Sequence, residues 1–191
     1  YYVKISSTHS SGSVTSTVYD DIGGLVGNMI SSTLSRSYSS AAVVAQNSGG
    51  GPGGLVGYST GTTNLDNCYF AGIATGSRGG GLIAGAATQC DTITITNSYV
   101  SGKVILGDES SDPLLGFFNT DRSNGVICSS PVNMTLAGVH FDQQTTGLSQ
   151  SKWGGSGHPT AAMKLASTYA GWDLASIWTV PPDSYPTLRL P

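Results

Sequence analysis

The chain has 191 residues, of which 10% are charged and 27 are glycine, and its formal net charge is −3. Its eight basic residues are scattered, so there is no electrostatic footprint for nucleic acid, and no apolar run approaches the roughly 20 residues that span a bilayer as a helix. Low charge with many β-branched residues argues against disorder, and glycines without a period of three argue against a collagen-like chain.

In chain order, Tyr1 to about Asp21 reads as a partial turn of a repeat, with Tyr2-Val3-Lys4-Ile5 alternating and Gly12-Ser13-Val14 closing it. An unfinished turn exposes a sheet edge, and exposed edges recruit other strands. Further coils or another domain are therefore expected before Tyr1. The absence of an initiator Met and of a signal-peptide pattern marks a processed form or an excised piece. Asp20-Asp21 read as solvated turn acids rather than a cation site.

Gly23-Gly24-Leu25-Val26-Gly27 then returns as Gly53-Gly54-Leu55-Val56-Gly57 and, altered, as Gly80-Gly81-Leu82-Ile83-Ala84. A period of about 30 residues is that of a supersecondary unit stacked on copies of itself. Each block is followed by a small residue and Tyr, at Ser37-Tyr38, Cys68-Tyr69 and Ser98-Tyr99, and then by a small residue with β-branched neighbours, as at Gly72-Ile73. Three landmarks predict three short parallel strands per turn, with Leu25, Leu55 and Leu82 on one inward ladder and the Tyr and Val ladders inward on the other walls. Glycine is expected at corners needing positive φ and where coils approach closely.

Gly-rich loops at 47–53 and 78–81 precede no helix pattern and no Lys-Ser/Thr pair, so they are not read as phosphate loops. Thr92-Ile93-Thr94-Ile95-Thr96 alternates as a strand, with its Thr residues on one face. Only this rung carries Thr-x-Thr, so strand propensity explains it better than an ice-binding array. Asp108, Glu109 and Asp112 form the densest acidic cluster and are the candidate calcium ligands. Asn124-Gly125 reads as a turn, and Asn133-Met134-Thr135 is a glycosylation sequon if the source is eukaryotic and secretory.

From about Gln143 the repeat stops. Residues 152–159 read as an irregular loop and Thr160 as the N-cap of a helix over 161–169, with Pro181-Pro182 ending regular structure. The helix with Trp172 and Trp178 has the right size to cover the last rung of a coil. Three cysteines leave one odd: Cys68 is read as a small buried residue, and Cys90 with Cys128 as a candidate disulfide.

Catalysis would need paired carboxylates or a nucleophile with its base. Asp66, Asp91, Asp121, Asp142 and Asp173 do not recur at equivalent repeat positions, and His9, His140 and His158 lie in different segments. No catalytic residue is assigned.

The cores Gly24-Leu25-Val26-Gly27 and Gly54-Leu55-Val56-Gly57, with Asn67-Cys68-Tyr69 and Asn97-Ser98-Tyr99, resemble the GLUG repeat family. The third copy departs, with Ala84 in place of Gly, and Pro113-Leu114-Leu115-Gly116 is a fourth copy by position only. The tail, with Gly171-Trp172-Asp173 and Trp178, is similar to the closing segment of surface proteins in that family. The resemblance implies a secreted or cell-surface stalk or adhesin.

The resulting expectation is an all-β chain, a right-handed parallel β-helix (β-solenoid) of about four to five coils over 1–142, with a C-terminal capping segment over 143–191. Its expected role is a non-catalytic extracellular structural or adhesive module. Its expected partners are a surface receptor, a glycan or copies of itself. Alternatives are a subunit of an extracellular filament and a carbohydrate-active β-helix enzyme.

Overall fold

The computed structural model describes residues 2–18, 21–46, 51–87, 92–107, 112–119 and 133–189. Short apolar runs bounded by Gly, Ser and Asn form short strands that stack as parallel sheets into a β-solenoid, with about three complete turns and partial turns at both ends.

Each full turn has four main walls and a short strand at the corner before the Gly-Leu wall, where Asp21–Gly23 pairs with Gly51–Gly53 and Gly80 bridges Gly53 and Asp112. In the Gly-Leu wall, Val26–Ile30, Val56–Thr60, Ile83–Ala87 and Leu115–Asn119 pair with Val26, Val56, Ile83 and Leu115 in register. The Thr wall stacks Lys4–Ser6, Thr33–Ser35 and Thr62–Asp66 on the first halves of Thr92–Val100 and Asn133–Asp142. The Tyr wall stacks His9–Ser10, Tyr38–Ser39 and Tyr69–Phe70 on the second halves of those two long strands. The Val wall comprises Ser13–Ser16, Ala42–Ala45, Ile73–Gly76 and Lys103–Leu106. Three strands per turn were expected. Besides the short strand before the Gly-Leu wall, one more arises because the chain bends sharply between the Thr and Tyr walls, where Ser7, Arg36, Asn67, Asn97 and Gly138 have φ of 53°, 48°, 53°, 47° and 61°. Asn tolerates this left-handed conformation better than most side chains.

The repeated glycines serve close approach rather than this corner. A Cβ on Gly54 would lie 2.0 Å from the Gly81 carbonyl oxygen of the next coil and 2.3 Å from Phe70 Cγ. The coils can touch there only because no side chain intervenes.

Inside, Leu55, Leu82 and Leu114 form a fully buried ladder with Leu34, Leu65 and Ile95 and with Phe70, Val100 and Phe141. Leu25 stands at the open end of that ladder and is half-buried. Side chains alternate across a strand, so Cys68 and Phe70 point inward and Tyr69 points out. The Tyr ladder is therefore external, correcting the inward placement. His9, Tyr38, Tyr69 and Tyr99 stack as near-parallel rings, with centroids 5.2, 4.6 and 5.0 Å apart, and His140 follows Tyr99 in register. The small residue before each Tyr stitches coils together: the Ser98 hydroxyl accepts from Cys68 N at 3.0 Å and donates to Thr96 O at 2.7 Å.

The tail does two things. Its first part, through helix α1 (Gln143–Thr146) and the following loop, closes the last rung, with Leu148 and Trp153 packed on the solenoid core. Ser156–His158, expected to be irregular, instead extends the Tyr wall by pairing with residues 140–142. The remainder, residues 160–189, forms a strap along the side of the solenoid over the Tyr column. Trp172 and Trp178 lie in this strap with Met163 and Tyr169 against Tyr69 and Tyr99, rather than beneath the last rung.

The single helix expected over 161–169 is split into α2 (Thr160–Met163) and a 3-10 turn (Ala166–Tyr169), because Leu165 between them is extended. Pro159 is the N-cap, and the Thr160 hydroxyl donates to Asp142 instead. Regular structure also continues past Pro181-Pro182, since Trp178–Thr179 and Thr187–Leu188 form a small antiparallel ladder.

Candidate functional site

The strap meets the solenoid in a buried polar and aromatic cluster. Asp142, fully buried, ends the last long strand and caps α1, accepting from Gln144 N at 2.8 Å and Thr145 N at 3.1 Å. Its carboxylate also accepts from Thr160 Oγ1 at 3.0 Å and from the Tyr185 hydroxyl at 2.6 Å. Burial alone would raise its pKa, but the Tyr185 hydroxyl and the other donors outweigh that and hold it below the ordinary carboxylate value. Asp142 is therefore a charged anchor tying three parts of the tail to the last rung. The sequence signal for it was an Asp followed five residues later by Gly147, which takes φ of 77° as the C-cap of α1.

Beside it, His140 Nδ1 lies 3.1 Å from His158 Nε2. Farther up the strap, Trp178 Nε1 donates to Asn67 Oδ1 at 2.7 Å, Trp172 Nε1 to Gly138 O at 3.0 Å and the Tyr99 hydroxyl to Pro186 O at 2.6 Å. Two strap contacts thus use the left-handed corner, whose Asn67 and Gly138 offer polar groups to the outside.

Of the candidate calcium ligands, Asp108 and Glu109 lie outside the described residues. Asp112 is 1% exposed and is engaged elsewhere. It occupies the place of the first glycine of the block, paired with Gly80. In earlier coils the backbone N–H groups of the block donate to the Leu carbonyl of the next coil: Leu55 and Val56 to Leu82 O, and Leu82 and Ile83 to Leu114 O. At the last rung Asp112 Oδ1 takes that role, accepting from Leu114 N at 2.8 Å and Leu115 N at 3.1 Å. Oδ1 also accepts from the Ser151 hydroxyl at 3.0 Å, and Oδ2 from Lys152 N at 2.7 Å. Asp112 terminates the Gly-Leu wall and pins the closing loop. Burial raises its pKa despite these donors. Among the described residues no group of three His, Cys, Asp or Glu side chains is arranged to hold a metal ion.

The other sequence candidates fall as follows. Cys90 and Cys128 lie outside the described residues. Cys68 is fully buried and burial pushes its thiol up to about 12, which makes it a packing residue rather than a nucleophile. Asn133 is exposed at the start of its strand. Gly24, Leu25, Gly54, Leu55 and Gly57 line the Gly-Leu wall and its corner, Gly27 begins that wall's exposed edge, and Tyr38, Tyr69 and Tyr99 form the outer column. Asp66 accepts from Thr96 Oγ1 at 2.6 Å and from Asn67 Nδ2 at 2.8 Å, and Asp173 bonds Ser176 within the strap.

Two depressions mark the ends. At the closed tip, a shallow hollow of about 880 Å³ is lined by Gln144, Thr160, Lys164, Leu165, Pro182 and Asp183, and Leu165 is 54% exposed. At the open end, a hollow of about 390 Å³ is lined by Val3, Ile5, Val26, Met29 and Ile30, along the free edge of the Gly-Leu wall.

No family model matches the chain, and no solved structure matches it. One relative is a protein of Evansella cellulosilytica named as a Gly-rich membrane protein, 31% identical over 129 residues, which are 65% of this chain and 14% of that protein. The chain thus spans about a seventh of the length of the relative it matches. Among the described residues no helix is long and apolar enough to cross a membrane.

Proposed function

We propose that this chain is a non-catalytic display module of adhesin type, held outside the cell with its closed tip directed outward. The observation that carries this reading is the path of the strap. It returns from the last rung until Arg189 O accepts from Arg36 Nη2 at 3.3 Å, one rung below Ser6 and Ser7, so both described chain ends lie toward the same end of the solenoid. Six rungs on the Tyr wall, about 4.8 Å apart, rise only about 24 Å. The described residues thus enter and leave on one side and present the closed end on the other. The module belongs in this reading to the GLUG-type surface proteins its repeat resembles, and the membrane-protein name of the relative supports a location at the cell envelope.

The test is to couple the purified chain to beads through its residue-2 end and measure binding to panels of glycans and surface proteins, with polysaccharide cleavage assayed in parallel. Saturable binding without turnover, weakened at least about tenfold by Lys164→Glu in the tip hollow, is expected. Cleavage of a polysaccharide would replace this reading by the enzymatic one, and absence of binding across the panels would overturn it. The exposed apolar side chains of Val3 and Ile30 favour the filament subunit as the second reading, and ordered fibres of the purified chain in electron micrographs would establish it.

A further inference from the structure

His140 stands at the foot of the outer aromatic column, and His158 lies on the strand through which the chain leaves the solenoid to begin the strap. His140 is 8% exposed, and the strap residues Tyr169 and Trp172 rest on it with ring centroids 5.3 and 5.7 Å away. The 3.1 Å contact between the two imidazoles requires an N–H on one ring and a lone pair on the other. We propose that the His140–His158 pair is a pH-sensitive latch that holds residues 160–189 over the Tyr column near neutral pH and releases them in acid.

The surroundings set how the latch titrates. On the strand of His140, Asp142 lies two residues on, in register with His158. From the strap come the hydroxyls of Tyr169 and Tyr185, with Lys164 above the Tyr185 ring, and from the next rung comes Tyr99. The tyrosines stay neutral, since burial raises their pKa. Asp142 stays charged down to acid pH. With both rings protonated the contact would bring two donors together with no acceptor between them, and it is lost.

Burial, and then the charge of His158, lower the pKa of His140 from 6.5 to about 4. Because the folded value lies below the unfolded one, the stabilisation is complete above pH 6.5 and is lost as pH falls from 6.5 through about 4. Between pH 7.5 and 4.5 these two values correspond to a shift of about 70-fold in the equilibrium between closed and open strap. Opening would uncover Tyr69 and Tyr99 as a row of flat rings.

Amide hydrogen exchange of the whole chain at pH 7.5 and 4.5, corrected for intrinsic rates, tests this. Protection across 160–189 is expected to fall about 70-fold at the lower pH, while peptides covering 55–60 and 93–100 keep theirs. His140→Phe, which keeps a ring at the foot of the column but cannot ionise, is expected to remove most of the response, and His158→Gln to reduce it. Strap protection unchanged between the two pH values, simultaneous loss from strap and solenoid, or a wild-type response in both variants would overturn the latch.

Discussion

Replacing Gly54 by Val is expected to abolish cooperative folding, at a cost above about 4 kcal/mol. The new Cβ would sit 2.0 Å from a backbone oxygen of the next coil and 2.3 Å from the Phe70 ring. That oxygen belongs to Gly81, and it cannot retreat while Gly54 N and Leu55 N donate to Gly80 O and Leu82 O at 3.2 and 3.0 Å. The strain therefore falls on the ladder that joins two coils. Gly107→Ala is the contrast: its nearest neighbour to a new Cβ is 3.6 Å away, and a change within about 0.5 kcal/mol is expected. Urea unfolding followed by circular dichroism measures both.

Trp178→Ala is expected to detach the strap while leaving the solenoid folded. The Trp178 ring is fully buried, with centroids 4.6 Å from Trp172, 5.9 Å from Tyr99 and 6.0 Å from Tyr69. Truncating such a ring costs about 3–5 kcal/mol, and the Asn67 side-chain oxygen, buried in the corner, loses its donor as well. The Tyr column has its own support in the parallel ladder, so the far-UV spectrum should persist while trypsin gains access to Lys164. Trp178→Phe should cost less, about 1 kcal/mol relative to the wild type, since it keeps most of the packing and forfeits mainly the hydrogen bond. Limited proteolysis with mass spectrometry distinguishes the variants. Cleavage throughout the repeats of Trp178→Ala would show that strap and solenoid fold as one unit.

The repeat was legible because its constraint is local and periodic. Gly24, Gly54 and Gly81 recur where any Cβ would collide with the next coil, and Leu25, Leu55 and Leu82 recur where one ladder fills the interior. The side on which the Tyr column stands was also available in principle. Cys68-Tyr69-Phe70 alternates, and placing the small residue and Phe70 inside forces Tyr69 out. Reading each Tyr as a single inward landmark missed this, because the sharp corner at Asn67 divides one apparent strand into two.

The tail was less legible because tertiary packing sets its local structure. The run over 161–169 has helical spacing, yet Leu165 is extended so that Met163 and Tyr169 both reach the solenoid wall, and burial outweighs propensity there. Trp172 and Trp178 were assigned to a closing role that Leu148 and Trp153 perform instead. Nothing in the spacing of His140 and His158 announces a pair, since they meet only when one strand is laid on the next. Asp112 looked like part of a solvated acidic loop, but it marks the place where a coil is missing and a carboxylate substitutes for its carbonyl.

The most direct test of the stacked repeat is a register measurement with paired cysteines, in a chain whose Cys68, Cys90 and Cys128 are replaced by Ser. Asn64 and Thr94 are partners on the outer face of the Thr wall, about 4.8 Å apart and within the span a disulfide accepts. Thr92 lies on the same face but two residues out of register, at about 8 Å from Asn64 and beyond that span. Rapid oxidation of Asn64→Cys with Thr94→Cys, and none of Asn64→Cys with Thr92→Cys, is the predicted result. Equal oxidation of both pairs, or preference for the offset pair, would contradict the parallel coil on which the rest of the account depends.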